Sequence, residues 1–339
     1  MSADTILLAH GSGGRLSHEL IRDVFLRHLG NALLNPQDDS AVFPIDLPAG
    51  SRLALTTDSY VVRPIFFPGG DIGKLAVCGT VNDLAMVGAQ PLYLSAGFIL
   101  EEGLPVGDLT RVVASMAQAA ADAGVSIVTG DTKVVERGSA DGLFINTAGV
   151  GVVAPGLSIS GSNVKPGDVI LLSGPIGAHG MAVLSQREGL QFSFPLNSDC
   201  ASLNGLVAAM LRATPNIHCL RDPTRGGLAT TLNEIAAQSR VGIEVAEAAI
   251  PVPEGVRAAC ELLGLDPLYV ANEGKLVAFV PPQASSAVLE AMRAHPLGRE
   301  AVLIGHVSTE GAGRVILQTA LGARRVLDML SGAQLPRIC

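Results

Sequence analysis

The chain has 339 residues, of which 48% are hydrophobic and 16% charged, and it contains no tryptophan. This composition predicts a compact protein with a large core and, from its length, two domains. The formal net charge of −8 argues against a nucleic acid or an anionic membrane as partner, because either would favour a basic surface.

The hydropathy and cysteine patterns bear on location. The apolar stretches 80–100 and 112–128 are interrupted by polar residues, so neither supplies the roughly 20 apolar residues of a membrane-spanning helix. The N-terminus lacks the basic and apolar regions of a signal peptide. Five scattered cysteines without a CxxC motif are typical of a reducing compartment, so we predict a cytoplasmic protein with a free thiol at Cys339.

The N-terminal region combines a glycine-rich stretch with a predicted helix. Residues 10–14 read His-Gly-Ser-Gly-Gly, and apolar periodicity predicts an amphipathic helix over 17–28. Backbone N–H groups near a helix start can bind phosphate, which makes Gly13 and Gly14 candidate contacts. A flexible turn is an equally good interpretation of this stretch taken alone.

Three acidic residues lie beside or ahead of a predicted strand of the first half. A predicted strand over 53–57 runs into Asp58, and the pair Asp38-Asp39 precedes it. Strand ends are common places for functional carboxylates, although a surface turn explains Asp38-Asp39 equally well.

A predicted helix over 71–89 contains Asn82-Asp83. A charged side chain in so apolar a helix is costly unless it is paired or bound to metal, which makes Asp83 a stronger functional candidate. The predicted strand 125–129 is followed by Gly-Asp-Thr-Lys, and we expect Asp131 and Lys133 to lie just beyond its end.

The second half begins after a Pro/Gly/Ser-rich stretch at 154–168, which predicts a domain boundary. Strands and helices then alternate, with helices predicted from about 179 and over 200–213. Asp222 opens the sequence Asp-Pro-Thr-Arg-Gly-Gly before a predicted helix at 228–237. A further strand is predicted over 268–271, ahead of Asn-Glu-Gly-Lys at 272–275.

The standard nucleotide-binding motifs are missing from the sequence. The nearest match to a P-loop, around Gly73-Lys74, has Pro68 at the first glycine position and Leu75 at the Ser/Thr position. What the chain offers instead is a set of carboxylates suited to holding Mg²⁺ with phosphate oxygens. These candidates are Asp39, Asp58, Asp83, Asp131 and Asp222.

The acidic motifs resemble a known superfamily. Asp-Asp-Ser-Ala-Val at 38–42, Asn-Asp-Leu-Ala-Met at 82–86, Gly-Asp-Thr-Lys at 130–133 and Asp-Pro-Thr-Arg-Gly-Gly-Leu at 222–228 are similar to the ATP-binding superfamily of aminoimidazole ribonucleotide (AIR) synthetase. The terminal Pro-Arg-Ile-Cys at 336–339 narrows the resemblance to the HypE family of [NiFe]-hydrogenase maturation carbamoyl dehydratases. The resemblance covers nearly the whole chain.

The resemblance implies an α/β (α+β), two-domain PurM-like fold that forms a homodimer. We expect an ATP-binding and dimerisation domain at 1–155, a C-terminal α/β domain at 156–331 and a flexible tail at 332–339 that carries Cys339.

Residue roles also follow from the resemblance. Asp39, Asp58, Asp83 and Asp222 match aspartates that hold Mg²⁺ and phosphate, and Asn82, Asp131, Gly13 and Gly14 join them as candidate ATP contacts. Cys339, Lys133 and Glu273 match the catalytic residues, with Cys339 as the covalent carrier, Lys133 as a charge stabiliser and Glu273 as proton acceptor.

The implied reaction is the ATP-dependent dehydration of a carbamoyl group on Cys339 to a thiocyanate. The implied partners are the carbamoyltransferase HypF, which loads the thiol, and the HypC–HypD iron complex, which receives the cyanide. Two alternatives stay open. One is another ATP-dependent enzyme of the superfamily, such as selenophosphate synthetase or a small-molecule kinase, although residues 10–14 lack the reactive cysteine of the former. The other is a scaffold that uses Cys339 only to hold iron.

Overall fold

The structure is a computed structural model that describes residues 4–38, 40–329, 335 and 337–339. Each half of the chain builds one large sheet with helices packed against it, which confirms the α/β prediction. No helix in the described ranges is long and apolar enough to cross a membrane. The predicted boundaries at 155 and 331 stay predictions.

The N-terminal half contains a four-stranded sheet in the order β1-β6-β4-β5, with β4 and β5 parallel and the other neighbours antiparallel. A short hairpin of β2 and β3 lies apart from it. The strands are β1 (Arg52–Tyr60), β2 (Phe66–Phe67), β3 (Gly70–Asp71), β4 (Ala89–Glu101), β5 (Ser126–Val135) and β6 (Leu143–Val153).

The helices of this half are α1 (Arg15–Leu20), a π-helix (Ile21–Leu26), α2 (Arg27–Leu29), α3 (Ile72–Met86) and α4 (Val106–Ala123). The Asp71 carboxylate caps α3 by accepting hydrogen bonds from the backbone N–H groups of Gly73 (2.7 Å) and Lys74 (3.1 Å). Helix α3 is buried along almost its whole length, which explains why its sequence is apolar on all sides.

One face of the N-terminal sheet packs against helices. The opposite face, called the bare face here, leaves several apolar side chains exposed, although Phe43 packs against Tyr93 on it (ring centroids 4.3 Å). The Thr147 hydroxyl of β6 donates to the carbonyl of Ala76 in α3 (3.0 Å), which marks the helix side. Because side chains alternate along a strand, the residues next to Thr147 and next to its partners on β1 and β4 point to the opposite face. There Leu53 and Leu55 of β1 are 58% and 80% exposed, and Ile99 of β4 is 44% exposed.

The C-terminal half contains a seven-stranded mixed sheet in the order β13-β12-β9-β11-β7-β10-β8. Its strands are β7 (Val169–Leu172), β8 (Cys219–Arg221), β9 (Gly242–Ala246), β10 (Val277–Val280), β11 (Val302–Ser308), β12 (Val315–Gln318) and β13 (Arg324–Val326). Its helices are α5 (Ala178–Arg187), α6 (Asn204–Ala213), α7 (Gly227–Ser239), α8 (Glu254–Leu263) and α9 (Pro282–Ala294).

Two local predictions were wrong, and one strand was not predicted. The strand expected at 268–271 is instead a 3-10 turn, Pro267–Tyr269, because the Asp266 carboxylate accepts from the Leu268 N–H (3.0 Å) and proline fixes the turn. Strand β5 continues to Val135 because it pairs with β4 over its full length, so Asp131 and Lys133 lie within the strand. Strand β13, which pairs with β12, was not predicted from the sequence.

The loop that carries Glu273 packs tightly against residues 199–201 of the same half. A Cβ added at Gly274 would overlap the carbonyl oxygen of Asp199, and the Ala201 N–H donates to the carbonyl of Glu273 (3.4 Å). Only a glycine therefore fits at 274, for steric reasons.

We expect Gly274→Ala to lower the free energy of unfolding by about 1–3 kcal/mol, because the overlap forces the loop to shift. Urea denaturation measures the change. Gly107→Ala is the matched control, since an added Cβ in that helix meets nothing within 4 Å. A Gly274→Ala protein as stable as the parent would contradict the packing described.

Candidate active site

A cleft of about 820 Å³ lies where the two halves meet, between β1, α3 and the residues that follow β8. Charged side chains and one thiol line it. They are Arg52, Asp58, Asp83, Arg221, Asp222, Arg225, Glu273 and Cys339. The structure thus brings together three of the four predicted metal-binding aspartates with two of the three predicted catalytic residues.

The aspartates of the cleft affect one another's protonation. Burial raises the pKa of Asp83, its hydrogen bond from the Thr56 hydroxyl (2.8 Å) lowers it, and the charge of Asp58 raises it further. Burial, with the charge of Asp83 second, raises the pKa of Asp222 to about 7. The cleft therefore concentrates negative charge in a poorly solvated place.

Glu273 is buried, with 3% of its surface exposed. Burial raises its pKa well above the ordinary value, and the charges of Asp222 and Asp199 add to this. The backbone around it is fixed, because its N–H donates to the Asp199 carboxylate (3.1 Å). Lys275 lies 3.4 Å from the other oxygen of Asp199 and partly balances its charge.

The Cys339 thiol reaches this cleft from the end of the chain. Burial, with the charge of Glu273 second, raises the pKa of the thiol to about 12. At neutral pH the thiol in this position is therefore protonated and a poor nucleophile.

Backbone pairing holds the chain end against the segment that follows β1. The N–H groups of Val61 and Arg63 donate to the carbonyls of Cys339 (3.2 Å) and Arg337 (3.3 Å), as in a short piece of sheet. The Arg337 side chain donates to the Val61 carbonyl (3.0 Å) and pairs with Asp141. The described part of the tail is thus docked in the cleft.

The carboxylates fit a divalent cation in chemistry but are not preassembled around one. Among residues 4–38 and 40–329 and the described tail positions, no group of three or more His, Cys, Asp or Glu is arranged to hold a metal. The charge of Asp58 nevertheless makes ionisation of Asp83 more costly, and the charges of Asp83 and Asp58 do the same for Asp222; a hard cation shared with phosphate oxygens would relieve that cost.

Lys133 and Asp131 lie away from this cleft. They line a second cavity of about 420 Å³ at the β5 edge, together with Gly13 and Asp38. Their side chains are 66% and 69% exposed and pair with each other at 2.6 Å. One copy of the chain therefore does not bring Lys133 to Cys339.

The other predicted contacts differ in their placement. Gly14 precedes α1 and is exposed. Asn82 is buried behind the cleft, where its amide donates to the carbonyls of Ala201 (3.1 Å) and Glu273 (3.3 Å) and accepts from the Leu203 N–H (2.7 Å). This geometry suits a structural role better than the predicted ATP contact. Asp39 lies outside the described residues.

Comparison with known proteins gives the family. The AIR synthase related protein N-terminal and C-terminal domain models match residues 37–153 and 165–318. The chain is 60% identical to carbamoyl dehydratase HypE of Azotobacter vinelandii over 335 residues, which is 99% of this chain and 97% of that protein. The chain belongs to the HypE family.

Two solved HypE structures resemble the whole chain. A HypE in complex with ATP superposes with a TM-score of 0.94 at 55% identity, covering 99% of this chain and 100% of the other. A HypE–HypF complex contains a chain that matches with a TM-score of 0.80 at 50% identity, covering 92% and 99%. These findings confirm the family resemblance inferred from the acidic motifs and the Pro-Arg-Ile-Cys ending.

Several organising residues were not predicted from the sequence. Buried Asn272, which directly precedes Glu273, accepts from the Gly177 N–H (2.7 Å) and donates to the Pro223 carbonyl (2.9 Å). It therefore connects the start of α5 to the residue after Asp222. His179 and Arg187 of α5 contact the tail backbone. Their partners are distant in sequence, so no local pattern could reveal them.

We expect Cys339 of the free protein to react with iodoacetamide at pH 8 about tenfold or more slowly than the peptide Leu-Pro-Arg-Ile-Cys, because burial raises the thiol pKa from 9.0 to about 12. A raised pKa leaves less thiolate at every pH below it, so the rate should keep rising with pH up to 10. Mass spectrometry of the C-terminal peptide measures it.

Asp141→Asn, which weakens the ion pair to Arg337, should accelerate the alkylation. The Cys339→Ala protein is the background control, because any labelling of it comes from the four buried cysteines. Equal rates for protein and peptide would show that the tail does not occupy the docked position.

Proposed function

We propose that this protein is a carbamoyl dehydratase of [NiFe]-hydrogenase maturation that converts a carbamoyl group on Cys339 into a thiocyanate at the expense of ATP. The observation that carries this proposal is the position of the Cys339 thiol, in a cleft with Glu273 and three aspartates at the junction of the halves. The 60% identity to a carbamoyl dehydratase favours this activity over selenophosphate synthesis or small-molecule phosphorylation.

The chemistry requires a leaving group better than hydroxide. When the carbamoyl oxygen attacks the γ-phosphorus of ATP, ADP departs and the oxygen later leaves as part of phosphate. The carbon–oxygen bond breaks, the carbon–nitrogen triple bond forms, and the two N–H protons pass to a base and to solvent. The sum is carbamoyl thioester plus ATP giving thiocyanate, ADP, phosphate and one proton at neutral pH.

The residues of the cleft suit these tasks. Glu273 has a raised pKa, which makes its carboxylate a stronger proton acceptor when ionised. Arg221 and Arg225 line the cleft as positive partners for phosphate. Asp58, Asp83 and Asp222, with Asp39, would hold Mg²⁺, which when bound screens the charge of the transferring phosphate.

Loading of the thiol requires the tail to leave the cleft. A docked thiol with a pKa of about 12 is almost entirely protonated at neutral pH, so it cannot attack a carbamoyl donor efficiently. An undocked tail regains an ordinary thiol pKa and can enter a partner's active site. We infer that HypF loads the undocked tail and that a HypC–HypD complex receives the product in the same way.

The C-terminal peptide of the loaded protein should lose one water when ATP is added. Glu273→Gln is expected to slow that loss about 100-fold or more, since it keeps the shape but removes the proton acceptor. Cys339→Ala should bind ATP and form no product. Mass spectrometry of the peptide gives the outcome, and a normal rate in Glu273→Gln would remove the base assignment.

We further infer that the protein acts as a homodimer, with the bare face of the N-terminal sheet covered by a second copy. Exposed Leu53, Leu55 and Ile99 make that face apolar, which is typical of an interaction surface. The register aligns Lys133 with Ile99, so Lys133 belongs to the same face. A self-complementary face of this kind is what a twofold dimer uses.

The positions within one protomer support this inference. Asp58, Thr147, Ala96 and Gly130 form one row across the sheet, which separates Asp58 from β5 by about 14 Å at ~4.8 Å per strand. Asp58 shares the helix side with Thr56, whose hydroxyl donates to Asp83, whereas Lys133 is on the bare side. If Lys133 acts on the carbamoyl group, a second copy must supply it.

Mixing Lys133→Ala protein with Cys339→Ala protein tests this arrangement. Each variant alone is expected to be inactive, but the mixed dimer has one site with both residues and should form thiocyanate on the Lys133→Ala chain. Peptide mass spectrometry identifies the product.

The matched control replaces Cys339→Ala with the double variant Lys133→Ala/Cys339→Ala, which should restore nothing. Formation of mixed dimers, seen by native mass spectrometry, without product would exclude a site shared between copies.

A further inference from the structure

At its described positions, the docked tail makes one polar contact in the protein interior. Ile338 is 3% exposed, and its carbonyl oxygen lies 2.9 Å from Nε2 of His179, which is fully buried in the first turn of α5. The other tail contacts described above involve partly exposed side chains or backbone at the rim. The His179 contact is therefore different in kind, because water does not replace it while the tail is docked.

The hydrogen bonds around His179 specify its tautomer. A carbonyl only accepts, so Nε2 must donate to Ile338 and Nδ1 of the neutral ring must then accept. Its partner is the Ser198 hydroxyl at 2.8 Å, which in turn accepts from the Cys200 N–H at 3.1 Å. Burial lowers the pKa of His179, with the charge of Asp199 opposing, which favours the neutral ring.

The rest of the ring is held firmly by the protein. Phe67 packs edge-on against it with ring centroids 5.4 Å apart. The start of α5 is fixed by Asn272, the neighbour of Glu273, through the Gly177 N–H. The donor to the tail and the predicted proton acceptor therefore belong to one rigid unit, so a hydrogen bond from His179 to residue 338 also locates residue 339 relative to Glu273.

Loss of this donor penalises the docked state selectively. With the tail docked, the Ile338 carbonyl would be buried without a partner, whereas in the undocked tail water satisfies it. The cost therefore appears in the equilibrium between docked and undocked tail.

We propose that His179 is a positioning residue that holds the tail for dehydration and sets the division between the docked state and the undocked state that is loaded with carbamoyl. Only the dehydration measurement described below depends on the function proposed above; the alkylation measurement does not. It assigns to His179 no contact with the reacting atoms.

A pair of polar substitutions isolates the Nε2 donor. His179→Gln places an amide N–H near the position of Nε2 and should keep the bond to Ile338. His179→Asn is shorter and offers its amide only near Nδ1, so it can satisfy Ser198 but not the tail. His179→Leu keeps an apolar filling without either bond and serves if the Asn variant folds poorly.

The first readout is alkylation of Cys339 by iodoacetamide without ATP. We expect His179→Asn and His179→Leu to react about tenfold faster than the parent, which corresponds to ~1.4 kcal/mol in the docking equilibrium, and His179→Gln to stay near the parent. Thermal melting shows whether each variant is folded.

The second readout separates loading from dehydration. Carbamoyl uptake from a HypF-type transferase should be unchanged or faster in His179→Asn, whereas subsequent loss of water with ATP should be about tenfold slower, with recovery in His179→Gln. Unchanged alkylation in both Asn and Leu variants would overturn the proposal. So would a parallel fall in uptake, dehydration and melting temperature, which indicates a purely structural role.

Failure of the proposed function has a different signature. The parent protein would then lose no water from its C-terminal peptide, while the alkylation rates of the three variants would still differ as expected.

Discussion

Negative charge confined in one poorly solvated cleft is the constraint on which the other features of this protein depend. Asp83, Asp222 and Glu273 have raised pKa values because they are buried beside one another. Such a group is stable only if it keeps protons or gains positive partners. Arginines line the cleft and balance part of this charge, and a cation bound together with phosphate would balance more of it. The same buried, negatively charged surroundings keep the Cys339 thiol protonated.

Because the docked thiol is protonated, the two stages of the proposed reaction, loading of the sulfur and dehydration of the loaded group, take place in different positions of the tail. Within the cleft, the sulfur is suited to carry a group but not to acquire one, because acquiring it requires a thiolate. Outside the cleft, the sulfur of the undocked tail can form a thiolate and acquire the group. Selection between the stages is therefore made by the short backbone pairing of the tail with the segment after β1 and by the buried hydrogen bond from α5.

The sequence predicts part of this site on physical grounds. Asp83 is recognisable as a charged side chain in an apolar helix, and Cys339 gains its meaning from the Pro-Arg-Ile-Cys ending by resemblance. The extension of β5 beyond Thr129 is set by pairing with β4, which local patterns do not encode. Asn272 and His179 act through partners 49 to 159 residues away, so only the folded chain reveals them.

Asn82 has a consequence for how nucleotide enters. Its buried amide belongs to the N-terminal half and makes all three of its hydrogen bonds to backbone groups of the C-terminal half. Separating the halves would exchange those three hydrogen bonds for bonds to water, at a net cost of about 0.5–1.5 kcal/mol for each. We therefore expect nucleotide to exchange without separation of the halves, through the opening of the cleft at which Cys339 docks.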